Sequence, residues 1–190
     1  MNTSKNNTDL LSGYLNVDEA GKYYSDYLAY SKGKPLIGQL ISSKKSVLNF
    51  LSSLSEDDGL YSYDTDKWTV KEVIGHLIDI ERIFSYRALA FARGETESLP
   101  GYDHNDYVVK ANLNSQSVEQ LKQQYQSERE SVILLFKSFS DEMLMRKGTA
   151  SNNPFTVRSL GFIIAGHEQH HLKILRERYL PGLSSGVILD

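Results

Sequence analysis

The stretch "TVKEVIGHLIDIERIFSYRALAFARG", residues 69–94, carries the clearest helix signal in the chain. Thr69 and Glu72 form a T-x-x-E capping box at its start, and Gly94 is a good helix stop at its end. Between them apolar residues recur every three or four positions, which is the period of an amphipathic helix. The stretch therefore predicts one long helix, and its buried stripe includes His76.

Three further segments show the same helical period. Pro35 suits a first turn because its φ is fixed, while Ser117 and Thr156 suit helix caps, and Pro181 must end the last helix. The four predicted helices span 35–54, 69–94, 117–139 and 156–180. Because no credible run of strands lies between them, we expect an all-α four-helix bundle.

The connectors between these helices are long. The one at 95–116 would let the third helix run parallel to the second, so an up-down-up-down order is not required. Before the first helix lies a Tyr-rich segment, "YYSDYLAYSKG" at 23–33, which we interpret as a short packing element or irregular arm. The predicted organisation is an N-terminal arm over 1–34 and a single-domain bundle over 35–190.

Composition narrows the function. The formal net charge is -3 and the pI is near 6.0, so there is no basic surplus to neutralise a phosphate backbone, and nucleic acid is not an expected partner. There is no cysteine, which removes disulfides and thiolate ligands. Charges recur throughout, no membrane span is expected, and the first residues do not resemble a signal peptide. A cytoplasmic protein is the expectation.

Three histidines share buried helical faces: His76 on the second helix, and His167 and His171 on the fourth. The i, i+4 spacing brings the last two imidazoles to one side, within reach of a single ion. Burying three imidazoles among Leu and Ile without partners would be costly, and one shared cation would satisfy all three. The pattern predicts a mononuclear divalent-metal site, and a hydrogen-bonded histidine cluster without metal is the alternative.

The fourth helix contains "AGHEQHHLKIL", residues 165–175, which has the HExxH spacing of metalloproteases. The longer protease signature fails, because Ile174 stands at its glycine position and Glu177 at its third-ligand position. No sheet edge is predicted that could hold an extended peptide. A di-iron bundle needs a second Glu-x-x-His pair, and the chain has none.

Glu168 lies on the buried stripe between the two ligand positions of the fourth helix. It could act as a general base or hold a ligand imidazole in one tautomer. The alternative is an ion pair with an inward-facing arginine, Arg87 or Arg129. These two arginines and Arg178 lie on or near buried stripes, where a guanidinium needs a carboxylate partner or an anionic ligand.

Three other polar residues are less well placed. His170 lies off the stripe and is expected near the site's periphery or at the surface. His104 lies in the long connector, and nothing in its spacing places it at the site. Asp79 points away from the stripe and is expected to be exposed to solvent.

Three stretches of the chain resemble the DinB-like (YfiT-like) superfamily: "DKWTVKEVIGHLIDIERIF", "ARGETESLPGYD" and "TVRSLGFIIAGHEQHHLKILRERYL". The resemblance implies a bundle with up-down-down-up order and metal ligands at His76, His167 and His171. It also implies a homodimer, since many members are dimers. The family includes transferases and isomerases that use bacillithiol or mycothiol, and proteins described as metal-dependent hydrolases.

Two functional hypotheses follow. In the first, the protein is an enzyme in which a divalent ion, zinc or nickel, activates water or a low-molecular-weight thiol such as bacillithiol against a small-molecule substrate. Because the chain has no cysteine, any reacting sulfur must arrive with a cofactor or substrate. In the second, it is a non-catalytic metal-binding or stress-associated bundle. A pocket open to solvent at the metal would favour the first.

Overall fold

The computed structural model describes residues 11–16, 18–184 and 186–189, and it confirms the four predicted helices. The long helices are α2 (Leu36–Ser53), α4 (Val70–Ala92), α6 (Val118–Ser138) and α8 (Val157–Ile174). Four short helices precede or connect them: α1 (Ser25–Ser31), α3 (Glu56–Leu60), α5 (His104–Ala111) and α7 (Asp141–Met145). No helix of the described chain is long and apolar enough to cross a bilayer.

The helix starts follow from local hydrogen bonding. At α4 the Glu72 N–H donates to Thr69 Oγ1 at 3.2 Å, and the Thr69 N–H donates to Glu72 Oε2 at 2.8 Å, which completes the predicted capping box. Helix α6 has the same reciprocal pair between Ser117 and Gln120. Helix α8 continues as a π-helical turn, Leu175–Tyr179, and a 3₁₀ turn, Leu180–Gly182.

Two apolar clusters, one at each end of the bundle, show the direction of every long helix. The first joins the C-terminal part of α2, the N-terminal parts of α4 and α6, and the C-terminal part of α8; it includes Phe50, Ile74, Leu121 and Leu175. The second joins the opposite ends; it includes Leu40, Phe91, Phe136 and Leu160. Helices α2 and α8 therefore run one way and α4 and α6 the other, which is the up-down-down-up order.

The all-α bundle is confirmed, but the sequence analysis missed one short hairpin between the helices. β1 (Lys147–Ala150) and β2 (Asn153–Thr156) form an antiparallel hairpin directly before α8. The strands have four residues each, too few for a clear alternation of apolar and polar side chains. The hairpin also pairs with the connector after α4, because the Leu99 N–H donates to the Thr149 carbonyl at 2.9 Å. This connection holds the connector near the start of α8.

The predicted arm, 1–34, packs against the bundle where it is described; residues 1–10 lie outside the described chain. Helix α1 lies along α8, and the Tyr27 carbonyl sits where a Cβ of Gly166 would be, so only glycine permits this approach. Glu19 forms a buried ion pair with Arg158 of α8. The arm thus reaches the segment that carries His167, while the boundary at residue 34 stays a prediction.

Candidate metal centre

The structure brings the three predicted ligand residues together. His76 lies near the start of α4, and the antiparallel helix α8 carries His167 and His171 one turn apart near its end. The Nε2 atom of His167 is 3.2 Å from Nε2 of His76 and 3.2 Å from Nε2 of His171. One ring nitrogen from each residue lies within 4.8 Å of the others. The group could therefore hold one metal ion.

The chemistry of these donors fits a divalent ion. Burial lowers the pKa of His76 to about 4, helped by nearby His104, and burial lowers the pKa of His171 to about 3. Burial, followed by the neighbouring imidazoles, lowers the pKa of His167 well below its usual range. The rings are thus neutral at pH 7, the form that binds metals. Two ligand nitrogens on a tetrahedral zinc ion lie about 3.4 Å apart, close to the separations seen here.

Aromatic side chains hold the imidazoles in place. The Trp68 ring lies parallel to that of His171, with 6.5 Å between centroids, and tilted against that of His76 at 4.9 Å. The Tyr27 ring of α1 meets the His167 ring edge-on at 5.1 Å. The Tyr179 hydroxyl donates to the Trp68 carbonyl at 2.8 Å and anchors the segment before α4. The ligand rings are therefore packed on several sides.

The other two histidines also line this site. His104 is the first residue of α5, is exposed, and has its ring centroid 5.7 Å from that of His76. His170 packs against Tyr27 at 5.5 Å and, as expected, lies at the periphery. No sequence signal placed His104 here, because only the path of the connector after α4 decides where α5 begins.

Glu168 forms an ion pair with an inward-facing arginine, which the sequence analysis gave as the alternative to a catalytic role. Arg129 of α6, fully buried, donates from Nη1 and Nη2 to the two oxygens of Glu168, at 2.9 Å and 2.6 Å. The Tyr125 hydroxyl donates to Glu168 at 2.8 Å. With both oxygens of Glu168 occupied, the geometry does not favour the predicted role as a general base.

The same guanidinium binds a second carboxylate that the sequence analysis missed. Arg129 Nε lies 3.1 Å from both oxygens of Glu81 on α4, and Nη2 also donates to Glu81. Burial raises the pKa of Glu81, although Arg129 opposes this. Burial alone would lower the pKa of Arg129, but the two carboxylates raise it well above its usual range. This network joins α4, α6 and α8 in the core and fixes the positions of the helices that carry the histidines.

Two expectations about other charged residues need correction. Arg178 is exposed rather than near a buried face, because the π-helical turn widens the helix and shifts its angular register. Asp79 is half-buried and forms a 3.4 Å ion pair with Arg82 instead of facing open solvent. Burial raises the pKa of Asp79.

A pocket of about 400 Å³ opens from the histidines. Its floor follows the α4 stripe past Ile80 and Phe84 to Arg87, and α1 and the β-hairpin supply its walls. This volume lies within the usual range of small-molecule sites. The arrangement offers a partly open pocket beside the three imidazoles.

Comparisons with known proteins agree with this architecture. A sequence model of the DinB superfamily matches residues 39–175. A solved structure, that of YfiT from Bacillus subtilis, is similar with a TM-score of 0.65 and 17% identity, over 78% of this chain and 87% of that one. YfiT is described as a probable metal-dependent hydrolase with an unusual four-helix bundle topology. At this identity the likeness shows the fold. No curated protein matches the chain.

Proposed function

The chain belongs to the DinB superfamily, and from this premise we propose that it is a mononuclear metal-dependent enzyme acting on a small-molecule substrate. His76, His167 and His171 hold one divalent ion, zinc or nickel. The observation that carries the proposal is the convergence of the three Nε2 atoms at a pocket large enough for a small molecule.

The ligand number supports a catalytic rather than a structural ion. In the described part of the chain the ligand group consists of three histidines, whereas structural zinc sites are almost always closed by four protein ligands. His104 is exposed at the rim and does not join the group. A three-ligand site beside a pocket leaves a position open to substrate, which disfavours the non-catalytic alternative.

A divalent ion in this site would supply Lewis acidity that lowers the pKa of a bound water or thiol. The chain's own residues position the ligand rings, through Trp68 and Tyr27, and enclose the substrate. We do not assign Glu168 as the general base, because Arg129 and Tyr125 donate hydrogen bonds to its oxygens. The description of YfiT favours hydrolysis, and the family resemblance keeps transfer to a thiol such as bacillithiol as the second reaction class.

Metal analysis of protein purified without a histidine tag tests the site. We expect about one ion per chain in the wild type and loss of that ion in His76→Ala and His167→Ala. His104→Ala and His170→Ala are matched controls, since they remove a pocket histidine outside the ligand group. A wild-type content below about 0.2 ion per chain, unchanged by added zinc or nickel, would contradict the proposal.

Cobalt substitution separates an enzyme from a metal-binding bundle. If the metal has an open coordination position, adding bacillithiol or glutathione to the cobalt-loaded protein should change its visible spectrum. Turnover should also appear when simple esters and electrophiles are offered together with those thiols. A spectrum that no thiol or anion changes, with no turnover, would support the non-catalytic hypothesis.

The cytoplasmic location and the homodimer stay predictions. Cell fractionation would check the location, and light scattering would check the dimer.

A further inference from the structure

Arg87 is a buried guanidinium whose partners are all neutral. It is 2% exposed and lines the pocket. Its Nη2 donates to the Pro100 carbonyl at 3.0 Å and to Ser151 Oγ at 2.9 Å, and the Tyr24 hydroxyl is a further partner. The Tyr102 ring lies 5.8 Å from its Cζ. No carboxylate of the described residues forms an ion pair with it.

The other buried arginines are different. Arg129 binds two glutamates and Arg158 binds Glu19. A buried charge without a counter-charge is costly, so a guanidinium in this position needs an anionic partner that the described residues do not supply. Burial lowers the pKa of Arg87, as expected for a cation without a nearby anion. Arg87 therefore differs from its neighbours in lacking a charged partner within the described chain.

The hairpin beside Arg87 has an unusual turn. Ser151 and Asn152 both have positive φ, 50° and 59°, in a two-residue turn where Asn-Gly is the preferred pair. The turn places Ser151 Oγ on the guanidinium, and the Ser151 N–H donates to the Leu99 carbonyl at 3.1 Å. These contacts hold the guanidinium at the pocket wall.

Arg87 and the histidines lie at opposite ends of the pocket floor. His76 and Arg87 are eleven residues apart on α4, or about 16 Å along the axis. The Arg87 side chain leans back over Phe84, with Cζ 5.1 Å from that ring centroid. The guanidinium is thus roughly 10–14 Å from the point where the histidines converge, a span of about eight to eleven bonds in an extended molecule.

We infer that Arg87 binds a carboxylate on the substrate while the reacting group of the same molecule lies at the three histidines. A carboxylate suits the planar fork of a single guanidinium. A phosphate dianion would call for further positive charge, and in the described lining Arg87 is the only lysine or arginine. The inference deepens the proposed function and rests on it, because it assigns one end of the pocket to the metal.

The test compares two thiols of equal length, 10-mercaptodecanoate and 10-mercaptodecanol, by their thiolate-to-cobalt absorption in the cobalt-loaded protein. The wild type should bind the carboxylate about 10- to 100-fold more tightly than the alcohol, as for one charge-assisted hydrogen-bonded pair. Arg87→Met should abolish the preference, and Arg87→Lys should retain part of it. Arg82→Met, an exposed arginine of the same helix, is the matched control. The short 3-mercaptopropionate should show no dependence on Arg87.

A second arm uses metal-free protein and calorimetry with decanoate and decanol, so that it does not depend on a loaded site. A carboxylate preference in the wild type that is absent in Arg87→Met supports the inference. A preference that persists in Arg87→Met, or a wild type without one, overturns it. Failure of cobalt to bind would instead contradict the proposed metal site, and the calorimetric arm would still decide the role of Arg87.

Discussion

Replacing Arg129 with methionine should test the buried network that joins three helices. The substitution keeps much of the side-chain volume but removes the only cation that contacts Glu81 and Glu168 in the described structure. It also removes the 2.7 Å hydrogen bond to Ser43 Oγ. Two carboxylates would then remain in the core without a counter-charge.

The expected loss in the free energy of unfolding follows from the protons that these two carboxylates must take up to stay buried. At pH 7, protonating a glutamate of ordinary pKa near 4.3 costs about 3.7 kcal/mol. Burial already raises the pKa of Glu81 in the wild type, so part of this cost is present before the substitution. We expect a net loss of about 4–5 kcal/mol at pH 7, within the usual range for breaking a buried ion pair.

The loss should shrink in acid. At pH 5 the same protonation costs about 1 kcal/mol per carboxylate, so Arg129→Met should be only about 1–2 kcal/mol less stable than the wild type. Urea unfolding followed by circular dichroism at both pH values measures the difference. Arg129→Lys keeps a point charge without the planar fork, so its free energy of unfolding should lie between those of the wild type and Arg129→Met.

Arg82→Met is the control for the loss of an arginine. That side chain is 46% exposed and pairs with Asp79 and Glu128 at the surface, so its removal should change the free energy of unfolding by less than about 1 kcal/mol at either pH. A deficit for Arg129→Met below about 2 kcal/mol at pH 7, or one that is the same at pH 5, would refute the reasoning.

Three further substitutions probe separate features. Burial raises the pKa of Glu81, so the stability that protonated Glu81 contributes is full below about pH 4 and is lost as the pH rises through its folded-state pKa. Glu81→Gln should therefore flatten the fall in the free energy of unfolding above pH 5, measured by urea unfolding. Burial alone would raise the pKa of Asp58, but hydrogen bonds from Ser55 and Ser184 lower it to about 2. Asp58→Asn should therefore lower the free energy of unfolding by about 2 kcal/mol at pH 7. This deficit should disappear as the pH falls from 4 through 2 in acid titrations. Gly166→Ala places a methyl group against the α1 backbone and should cost about 1–3 kcal/mol, with faster hydrogen exchange in α1; unchanged exchange there would contradict the packing.

Local signals explain the parts of the fold that the sequence predicts well. The reciprocal caps at Thr69 and Ser117 depend on residues three positions apart, so they can be identified without knowing the rest of the chain. The same holds for the ligand face of α8, because i, i+4 spacing places His167 and His171 together whatever packs against them. The hairpin was missed because its strands have only four residues each, too few for a clear alternation, and its further pairing with Leu99 is a contact between distant segments.

By itself the sequence determined which residues form the long helices, where those helices begin, and which faces carry the three histidines, since all of these depend on neighbours within a turn or two. Only the tertiary structure decided which buried charges meet. Glu168 and Arg129 are 39 residues apart, and their pairing depends on how α6 and α8 pack. The neutral surroundings of Arg87 and the position of His104 depend likewise on the course of connectors. Helical periodicity shows that a side chain points inward, but the packing of the other helices and connectors decides what it contacts there.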